Sequence, residues 1–413
     1  MKRTILVTLS IFAAVLFMAV SGSNAFAATK GEPVRLGYLA PLSGTYADIG
    51  NSEVEGAKLA VHEVNASGGI LGRPVKLFVE DTEAKTDVGT QKIRKLIEKD
   101  KVNFTFGSVS SGVSLALAQV ARQSNILHIV TGGHSDSITG KDCNWNVFRI
   151  PTTTMMQARS IGKFLADKFG KRWYIMTPDY AYGWSLQAGF EKVNKDLGGT
   201  IVGADRIPLG ATDFSATLVK AGAAKPDVLL VLQAGHDAVN AIKQIVQFGL
   251  NKKMAIAGGL NEWEGVHALP PAARLGWWTF EWYYNQPNVP AAKVFSDKIL
   301  KRYHHVATAR NWFGYLAIKT VALISNQEKT LDAVKLAKAL EGWTVPPDVA
   351  MEPHRVYYRA GDHQLMGSVY VGEDRPNTKQ NDPDLFRVTR VVPGDQAALP
   401  VSAGGCMINY PAQ

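Results

Sequence analysis

Short apolar runs alternate with amphipathic runs along most of this sequence, and this alternation restricts the fold more than any other feature. The run VKLFVED (75–81) has the length and the composition of a buried strand. The next run, TDVGTQKIRKLIEKD (86–100), places Val88, Ile93 and Leu96 at helical spacing. Strands and helices that alternate form parallel sheets covered by helices, because parallel strands need long crossover connections. The sequence therefore predicts an α/β fold.

The alternation occurs in two series, separated by the segment NVFRIPTTTMMQ (146–157) with Pro151 at its centre. A chain of 413 residues is also too long for one ordinary hydrophobic core. We therefore predict two lobes of similar plan. The predicted boundaries are 33–150 plus 280–345 for lobe I, 151–279 plus 346–390 for lobe II, and 391–413 for an irregular C-terminal tail.

The N-terminal segment has the organisation of a secretory signal. Lys2 and Arg3 precede an apolar stretch at 5–20, and Ala25 and Ala27 form a small-x-small cleavage site. The apolar stretch is shorter than the roughly 20 residues that a membrane-spanning helix needs. We predict cleavage after Ala27 and export to the periplasm.

Charge and composition exclude several classes of partner. The formal charge is +9, but lysines and arginines are spread along the sequence, without the basic stripe and interleaved aromatic residues typical of nucleic-acid binding. No pair of cysteines or histidines has the spacing of metal ligands. The sequence therefore predicts no nucleic-acid partner, no metal and no cofactor.

The chain contains two cysteines, Cys143 and Cys406. An even number of cysteines in an exported protein favours a disulfide, and the loop-like segment SAGGCMINYP around Cys406 otherwise lacks an anchor. The alternative is two buried free thiols. We predict the disulfide.

The turn after the first predicted strand, APLSGTYADIGNSEVEG (40–56), restricts the ligand class. It contains neither G-x-G-x-x-G nor a P-loop, which argues against dinucleotide and nucleoside-triphosphate sites. Ser52 and Glu55 have the spacing of a capping box, which predicts that the first helix begins at Ser52.

Ligands of open parallel sheets bind beyond the carboxyl ends of the strands. The loops at those predicted ends are rich in Gly, Ser, Tyr, His, Asp and Asn, and they occur in both lobes, which predicts a ligand-binding cleft between the lobes. These loops are PLSGTYADIG, GSVSSG, TGGHSDS, PDYAYG, LQAGHDA and GGLNEWEG.

In lobe I, two of these loops carry candidate ligand-binding residues. Ser110 and Ser111 stand at the start of a predicted helix, where free backbone N–H groups and hydroxyls favour an anion such as a carboxylate. The alternative is that Ser111 is only a helix N-cap. Gly132 and Gly133 allow a ligand close to the backbone, and His134 is either a donor to an anion or a half-exposed loop residue.

In lobe II, Tyr180 and Tyr182 offer aromatic rings with polar tips, which serve either a ligand or packing. Gln233, His236 and Asp237 follow in the loop LQAGHDA. We predict that these residues contact the ligand from the side opposite to the loops of lobe I.

An enzyme is the main alternative to a binding protein. The loop TGGHSDS contains His134, Ser135 and Asp136, which are the residue types of a hydrolase triad. Adjacent positions in one loop rarely reach triad geometry, and no G-x-S-x-G motif is present. We therefore predict no catalytic residue.

The segments VRLGYLAPLSGTYADIG, GAKLAVHEVNASGGILG and VED, followed by DYAYG, TDFSATL and FGL, lie within 33–345, and the resemblance that they carry covers most of that range. This combination resembles the leucine/isoleucine/valine-binding protein family, the type I periplasmic binding proteins of ABC importers. The resemblance implies two Rossmann-like lobes with parallel sheets, joined by a three-crossing hinge. It also implies a monomer that closes on a small amino acid and delivers it to an inner-membrane ABC permease; a receptor-coupled sensor is a less favoured reading.

The resemblance assigns roles to several candidates. Ser110 and Ser111 match the serine loop that holds the ligand carboxylate, Gly132 matches a backbone carbonyl ligand, and Tyr182 matches the tyrosine of the second lobe. An aromatic residue expected at the first turn falls beside Ile49. Tyr46 is the nearby candidate for that role.

The acid that pairs with a ligand ammonium is left open by the resemblance. It falls near GGLNEWEG, where Asn261, Glu262 and Glu264 are candidates, and Asp237 is another. Of these candidates, we predict that Asp237 and Glu262 are ligand-binding residues.

The sequence also departs from the family pattern. His134 replaces a usual threonine, and Glu83 and Ser110 occupy the regions of the family's early disulfide. The ligand is therefore a branched-chain or other amino acid, or alternatively an aromatic carboxylate or short amide. For an aromatic acid, we expect Tyr46, Tyr182 and Trp312 to form an apolar wall.

Overall fold

A computed structural model describes residues 30–286, 288–376 and 378–411, so the predicted signal sequence lies outside the described residues. The first of two sheets contains five parallel strands in the order β2-β1-β3-β4-β5. Its strands are β1 (Val34–Ala40), β2 (Val75–Asp81), β3 (Phe104–Gly107), β4 (Leu127–Val130) and β5 (Val147–Arg149).

The second sheet has seven strands in the order β12-β11-β10-β9-β8-β6-β7. Its strands are β6 (Arg172–Pro178), β7 (Thr200–Ile207), β8 (Val228–Val231), β9 (Ala255–Leu260), β10 (Trp277–Phe280), β11 (Val369–Asp374) and β12 (Phe386–Val392). Strands β6 to β10 are parallel, whereas β11 and β12 add an antiparallel edge. The α/β fold with parallel sheets in two lobes is thus confirmed.

Helices cover both sheets. They are α1 (Ala47–Ala66), α2 (Thr86–Glu98), α3 (Ser111–Gln123), α4 (Thr154–Phe169), α5 (Ala181–Asp196), α6 (Ser215–Ala224), α7 (Gly235–Gln247), α8 (Trp263–Ala268), α9 (Pro290–Tyr303), α10 (Ala309–Glu328), α11 (Ala333–Leu340), α12 (Pro347–Ala350), α13 (Gly394–Ala397) and α14 (Val401–Gly404). In the described part of the chain, no helix has the length and hydrophobicity needed to cross a bilayer.

The predicted capping box of the first helix is wrong. Helix α1 begins at Ala47, directly after a 3-10 turn, so Ser52 lies inside the helix. The backbone carbonyl of Ser52 accepts a hydrogen bond from the side chain of Asn311 (2.7 Å). A reciprocal capping box does form at the start of α10, between Thr308 and Asn311.

Helices α1 and α10 pack closely in lobe I, and two glycines permit their approach. A Cβ atom at Gly56 would lie 1.8 Å from the carbonyl oxygen of Asn311, and one at Gly314 would lie 1.9 Å from that of Glu53. Only glycine fits at such distances, because real Cβ contacts of this kind stay beyond about 3 Å. The crossing matters for function because α1 carries Glu53 and α10 carries Arg310.

The division between the lobes differs from the prediction, because residues 346–365 pack with lobe I. Val349, Val356, Tyr358 and Leu365 are buried in the lobe I core rather than in lobe II. The ring of Tyr358 packs edge-on against Phe148, with 5.4 Å between centroids. This segment adds no strand to the lobe II sheet, and its apolar side chains are buried by the helices of lobe I.

The C-terminal tail is more ordered than predicted and connects the two lobes. Strand β12 extends to Val392, α13 packs on α4 of lobe II, and α14 packs on the 3-10 turn Asp136–Thr139 of lobe I. A disulfide then joins Cys406 to Cys143, with 5.6 Å between the Cα atoms. The tail is therefore a further connection between the lobes, held covalently to lobe I.

Candidate functional site

The carboxyl ends of the parallel strands of both sheets face each other across a seam between the lobes, and the seam is closed. The hydroxyls of Tyr46 in lobe I and Tyr180 in lobe II lie 2.6 Å apart. At the exposed edge, Nε2 of His236 lies 3.0 Å from Oδ2 of Asp48. Tyr46, the candidate for the aromatic residue of the first turn, therefore contacts the opposite lobe.

The two predicted serines lie at the N-terminus of α3, and Ser111 holds a neighbouring loop of lobe I in place. Ser110 is the N-cap residue of α3, and its neighbour Ser111 is the first residue of the helix. The hydroxyl oxygen of Ser111 accepts hydrogen bonds from the backbone N–H groups of His134 and Ser135, both at 3.1 Å. Because the hydroxyl oxygen already has two donors, the structure gives Ser111 a role in positioning the neighbouring loop.

Gly132 and Gly133 bring that loop against charged and polar side chains. A Cβ atom at Gly132 would lie 2.6 Å from Nη1 of Arg310 and 2.8 Å from Oε1 of Glu53. A Cβ atom at Gly133 would lie 2.6 Å from Oγ of Ser114. Any larger residue at either position would displace groups of the seam.

Arg310 is the centre of a buried charged cluster. Its Nη1 donates to Oε1 of Glu53 (2.8 Å), and its Nε donates to Oε1 of Glu262 (3.0 Å), which its Nη2 also contacts. Glu53 also accepts hydrogen bonds from Thr131 (2.9 Å) and Tyr38 (3.3 Å). Burial raises the pKa of Glu53 to about 7, against the opposing effect of Arg310. The Arg310–Glu262 pair joins lobe I to lobe II.

The candidates for the acid that pairs with a ligand ammonium occupy separate positions along the seam, each with its own partners. Glu262 is paired with Arg310, and the side chain of Asn261 donates to Asp374 inside lobe II (2.9 Å). Asp237 accepts from the backbone N–H of Gly210 (2.8 Å), which fixes it near the rim. Burial raises the pKa of both Asp237 and Glu264.

His134 and Glu281 face each other at the base of the seam. Nδ1 of His134 lies 3.0 Å from the carbonyl oxygen of Thr152, and Oε1 of Glu281 accepts from the N–H of the same residue. The free atoms, Nε2 of His134 and Oε2 of Glu281, lie 3.7 Å apart, and neither has a hydrogen-bond partner in the part of the chain that the structure describes. The Tyr182 ring packs edge-on against His134 (5.9 Å between centroids).

The pKa values of these two groups reflect their burial. Burial raises the pKa of Glu281 to about 8, and Arg310 partly opposes this shift. Burial, together with the charge of Arg310, lowers the pKa of His134 well below its usual value. His134 is therefore a neutral imidazole in the closed protein, and the expectation of a half-exposed loop histidine is wrong because only 3% of the residue is exposed.

The predicted apolar wall does not form as expected. Trp312 is buried in the lobe I core, where its ring stacks on Trp282 with 6.4 Å between centroids. Its Nε1 donates to the carbonyl of Val349 (3.4 Å). Trp312 thus belongs to the core, whereas Tyr46 and Tyr182 lie in the seam.

The triad residue types also do not assemble. Oγ of Ser135 lies 3.2 Å from Oγ of Ser137, and Oδ1 of Asp136 accepts from the backbone N–H of Met155 (3.0 Å). Nδ1 of His134 is used by Thr152 instead of Asp136. Within the described ranges, no group of three or more potential metal ligands converges on one point.

Sequence reasoning missed Glu53, Arg310 and Glu281. Glu281 directly follows β10, so the rule for carboxyl ends of strands would have identified it if WWTF (277–280) had been interpreted as a strand. Glu53 and Arg310 lie within helices, and no local pattern in the sequence indicates that they meet.

Residues 33–379 match the family model described as periplasmic binding protein. A Leu/Ile/Val-binding protein homolog 7 from Brucella abortus is 26% identical over 345 residues, which cover 78% of this chain and 84% of the relative. A periplasmic binding protein from Burkholderia mallei has a similar structure, with a TM-score of 0.84, 27% identity and coverage of 91% of this chain and 98% of the other. An amino acid ABC transporter substrate-binding protein from Pseudomonas fluorescens Pf-5 gives a TM-score of 0.82 at 27% identity, covering 91% and 99%.

Proposed function

The chain belongs to the periplasmic binding protein family, and from this premise we propose that it is the substrate-binding component of an ABC transport system for an amino acid. The proposal places the mature protein in the periplasm as a monomer that delivers its ligand to an inner-membrane permease. The names of the Brucella relative and of the Pseudomonas protein support an amino acid as the ligand.

One observation carries the proposal: buried charged and polar side chains from both lobes meet in the closed seam. Arg310 of lobe I and Glu262 of lobe II are 2% and 6% exposed, yet they lie between two separate hydrophobic cores. Buried ion pairs stabilise a protein little compared with apolar packing of similar volume. A seam that is charged rather than apolar is therefore suited to recognition of a polar ligand.

The mechanism that follows is hinge closure. In the open protein, the ligand contacts the loops of lobe I at Ser110 and Gly132, because the strand ends of that lobe face solvent. Lobe II then rotates toward lobe I, and Tyr46 meets Tyr180 while Arg310 meets Glu262. The ligand favours the closed state by the free energy of the contacts that it makes only there.

No bond of the ligand is made or broken in this proposal. The separation of His134, Ser135 and Asp136 into different hydrogen bonds supports a binding role over hydrolysis. The position of Trp312 in the lobe I core removes one side of the wall expected for an aromatic acid, which favours an amino acid.

Calorimetric titration with the twenty common amino acids and with benzoate tests the proposal. We expect at least one amino acid to bind with one site per chain and to be recovered unchanged, as measured by mass spectrometry. A bound ligand also raises the apparent stability, by an amount that grows with the ratio of its concentration to Kd. Chemical conversion of the ligand, or failure of every compound to bind, would contradict the proposal.

A further inference from the structure

The C-terminal tail crosses from lobe II to lobe I within a single peptide unit. On the lobe II side, Nη1 of Arg159 in α4 donates to the carbonyl oxygen of Ala398 (3.1 Å). On the lobe I side, Nη1 of Arg359 donates to the next carbonyl oxygen, that of Leu399 (2.8 Å). Arg359 belongs to residues 346–365, which pack with lobe I. The two lobes therefore hold consecutive carbonyl groups of the tail.

The tail before this crossing is fixed to lobe II. Helix α13 packs on α4, and Ala397 is buried in an apolar cluster with Met156 of α4 and Val369 of β11. A Cβ atom at Gly394 would lie 2.7 Å from the carbonyl oxygen of Gly367, so the two backbones are in close contact there. This part of the tail therefore follows any movement of lobe II.

The tail after the crossing is fixed to lobe I. Two methyl carbons of Val401 lie 3.0 and 3.1 Å from the position that a Cβ atom at Gly361 would take. The short helix α14 packs on the 3-10 turn Asp136–Thr139, and Cys406 is bonded to Cys143 in the same lobe. This part of the tail therefore follows any movement of lobe I.

The disulfide is the strongest attachment of this second part. Helix α14 has no buried side chain, and Met407 beside the disulfide is 79% exposed, so burial of apolar surface holds this part of the tail only weakly. A further contact, from the hydroxyl of Tyr410 to Oε1 of Glu341 (2.7 Å), comes only after Cys406. Without the disulfide, α14 can lift from lobe I and leave slack in the tail.

A crossing without slack resists separation of the lobes. A chain spans at most about 3.3–3.6 Å per residue, so one peptide unit cannot bridge two anchors that move several ångströms apart. Rotation of the lobes about an axis away from the crossing must therefore break the hydrogen bond of Arg159 or that of Arg359. Hydrogen bonds from a charged donor are stronger than those between neutral groups, so their loss on opening favours the closed state.

We propose that the tail is a fourth connection of the hinge, in addition to the segments after β5, after β10 and before β11, and that the Cys143–Cys406 disulfide keeps it taut so that it restrains opening of the lobes. The restraint raises the apparent affinity of a ligand that binds the closed state, because that affinity is proportional to the closed fraction. This inference goes beyond the proposed function and is independent of the identity of the ligand.

An insertion separates restraint from ordinary stabilisation. The sequence Gly-Ser-Gly-Ser is inserted between Ala398 and Leu399, which leaves both anchors and the disulfide in place and adds about 13–14 Å of slack. We expect small-angle X-ray scattering without ligand to give a larger radius of gyration than for the wild type. Calorimetry with whichever of the twenty amino acids binds the wild type most tightly should give an affinity at least about fivefold lower, the lower end of the range for coupled sites.

The same insertion after Gly198 is the matched control. A Cβ atom at Gly198 would meet no atom within 4 Å, so the turn between α5 and β7 has room for extra residues, and we expect scattering and affinity close to those of the wild type. The double variant Cys143→Ser and Cys406→Ser should resemble the insertion in the tail, because α14 is then free to lift from lobe I.

A disulfide that only stabilises the fold predicts a different result. The insertion lengthens the disulfide loop very little, so chain entropy alone would leave the insertion variant with the scattering and affinity of the wild type. That result would overturn the restraint, even if the double cysteine variant unfolds or opens. Because the scattering is measured without ligand, it decides the question even if no compound binds, and its failure would leave the proposed function intact.

Discussion

The substitution Glu262→Gln tests how far the buried ion pair holds the two lobes together. Glu262 accepts two N–H groups of Arg310 across the seam, one of them at 3.0 Å. A glutamine retains an acceptor oxygen but loses the charge, and both groups regain water when the lobes open. We therefore expect the closed state to lose about 2 kcal/mol, near the middle of the range for hydrogen bonds to charged groups. That loss corresponds to a roughly thirtyfold fall in the ratio of closed to open protein.

Small-angle X-ray scattering with and without a bound amino acid measures this change. We expect Glu262→Gln to give a larger radius of gyration without ligand and an affinity lower by up to about thirtyfold in calorimetry, if the ligand binds in the closed state. Glu53→Gln is the matched control, because Glu53 bonds to the same arginine but belongs to lobe I, as Arg310 does. Its expected effect is a lower melting temperature without opening. Wild-type affinity and an unchanged scattering profile for Glu262→Gln would refute the reasoning.

Three further predictions follow from individual contacts. Ser111→Ala removes the acceptor for two backbone N–H groups and should lower the free energy of unfolding by about 1–3 kcal/mol per unsatisfied group in urea denaturation; a change below about 0.5 kcal/mol would be inconsistent with the observed bonds. The Cys143–Cys406 disulfide spans 263 residues, so the chain-entropy model gives about 5.6 kcal/mol of stabilisation, and replacing both cysteines with serine should lower the midpoint of denaturation. Alkylation of the unreduced protein followed by mass spectrometry should detect no free thiol, and two alkylated cysteines would contradict the bridge. Burial raises the pKa of Glu281 to about 8 in the folded protein, compared with 4.5 in the unfolded chain, so Glu281 takes up a proton on folding. Its favourable contribution to the free energy of unfolding is therefore present below pH 4.5 and is lost as the pH rises through 8. Between about pH 6.5 and 8, the wild type should lose about 2 kcal/mol of stability relative to Glu281→Gln, because the titration of histidines is common to both proteins and cancels; parallel pH profiles of the two proteins would disprove the shift.

Hydrophobic periodicity predicts much of this fold because it reports local structure. The run at 75–81 coincides with β2, and the predicted helix at 86–100 ends two residues beyond α2. Ser52 shows the limit of such reasoning. Its spacing to Glu55 matches a capping box, but the preceding turn extends α1 to Ala47, and Ser52 instead bonds to Asn311, 259 residues away in sequence.

Part of the candidate site can also be predicted from local features of the sequence. Loops at strand ends identify His134 and Tyr182 because the carboxyl ends of parallel strands meet at one edge of each sheet. The partners of these residues depend on tertiary packing that no local pattern encodes. Arg310 reaches the seam only because α1 and α10 cross closely, and Glu281 is placed by β10, a short strand whose pairing with β9 is irregular.

The most direct test of the account is calorimetric titration of the wild-type protein with amino acids, followed by recovery of the ligand. We predict saturable binding of at least one amino acid at one site per chain, together with a decrease in the radius of gyration and recovery of the unchanged ligand. Heat without a change in shape would contradict hinge closure, and the absence of binding by every amino acid and carboxylic acid in the panel would contradict the function itself.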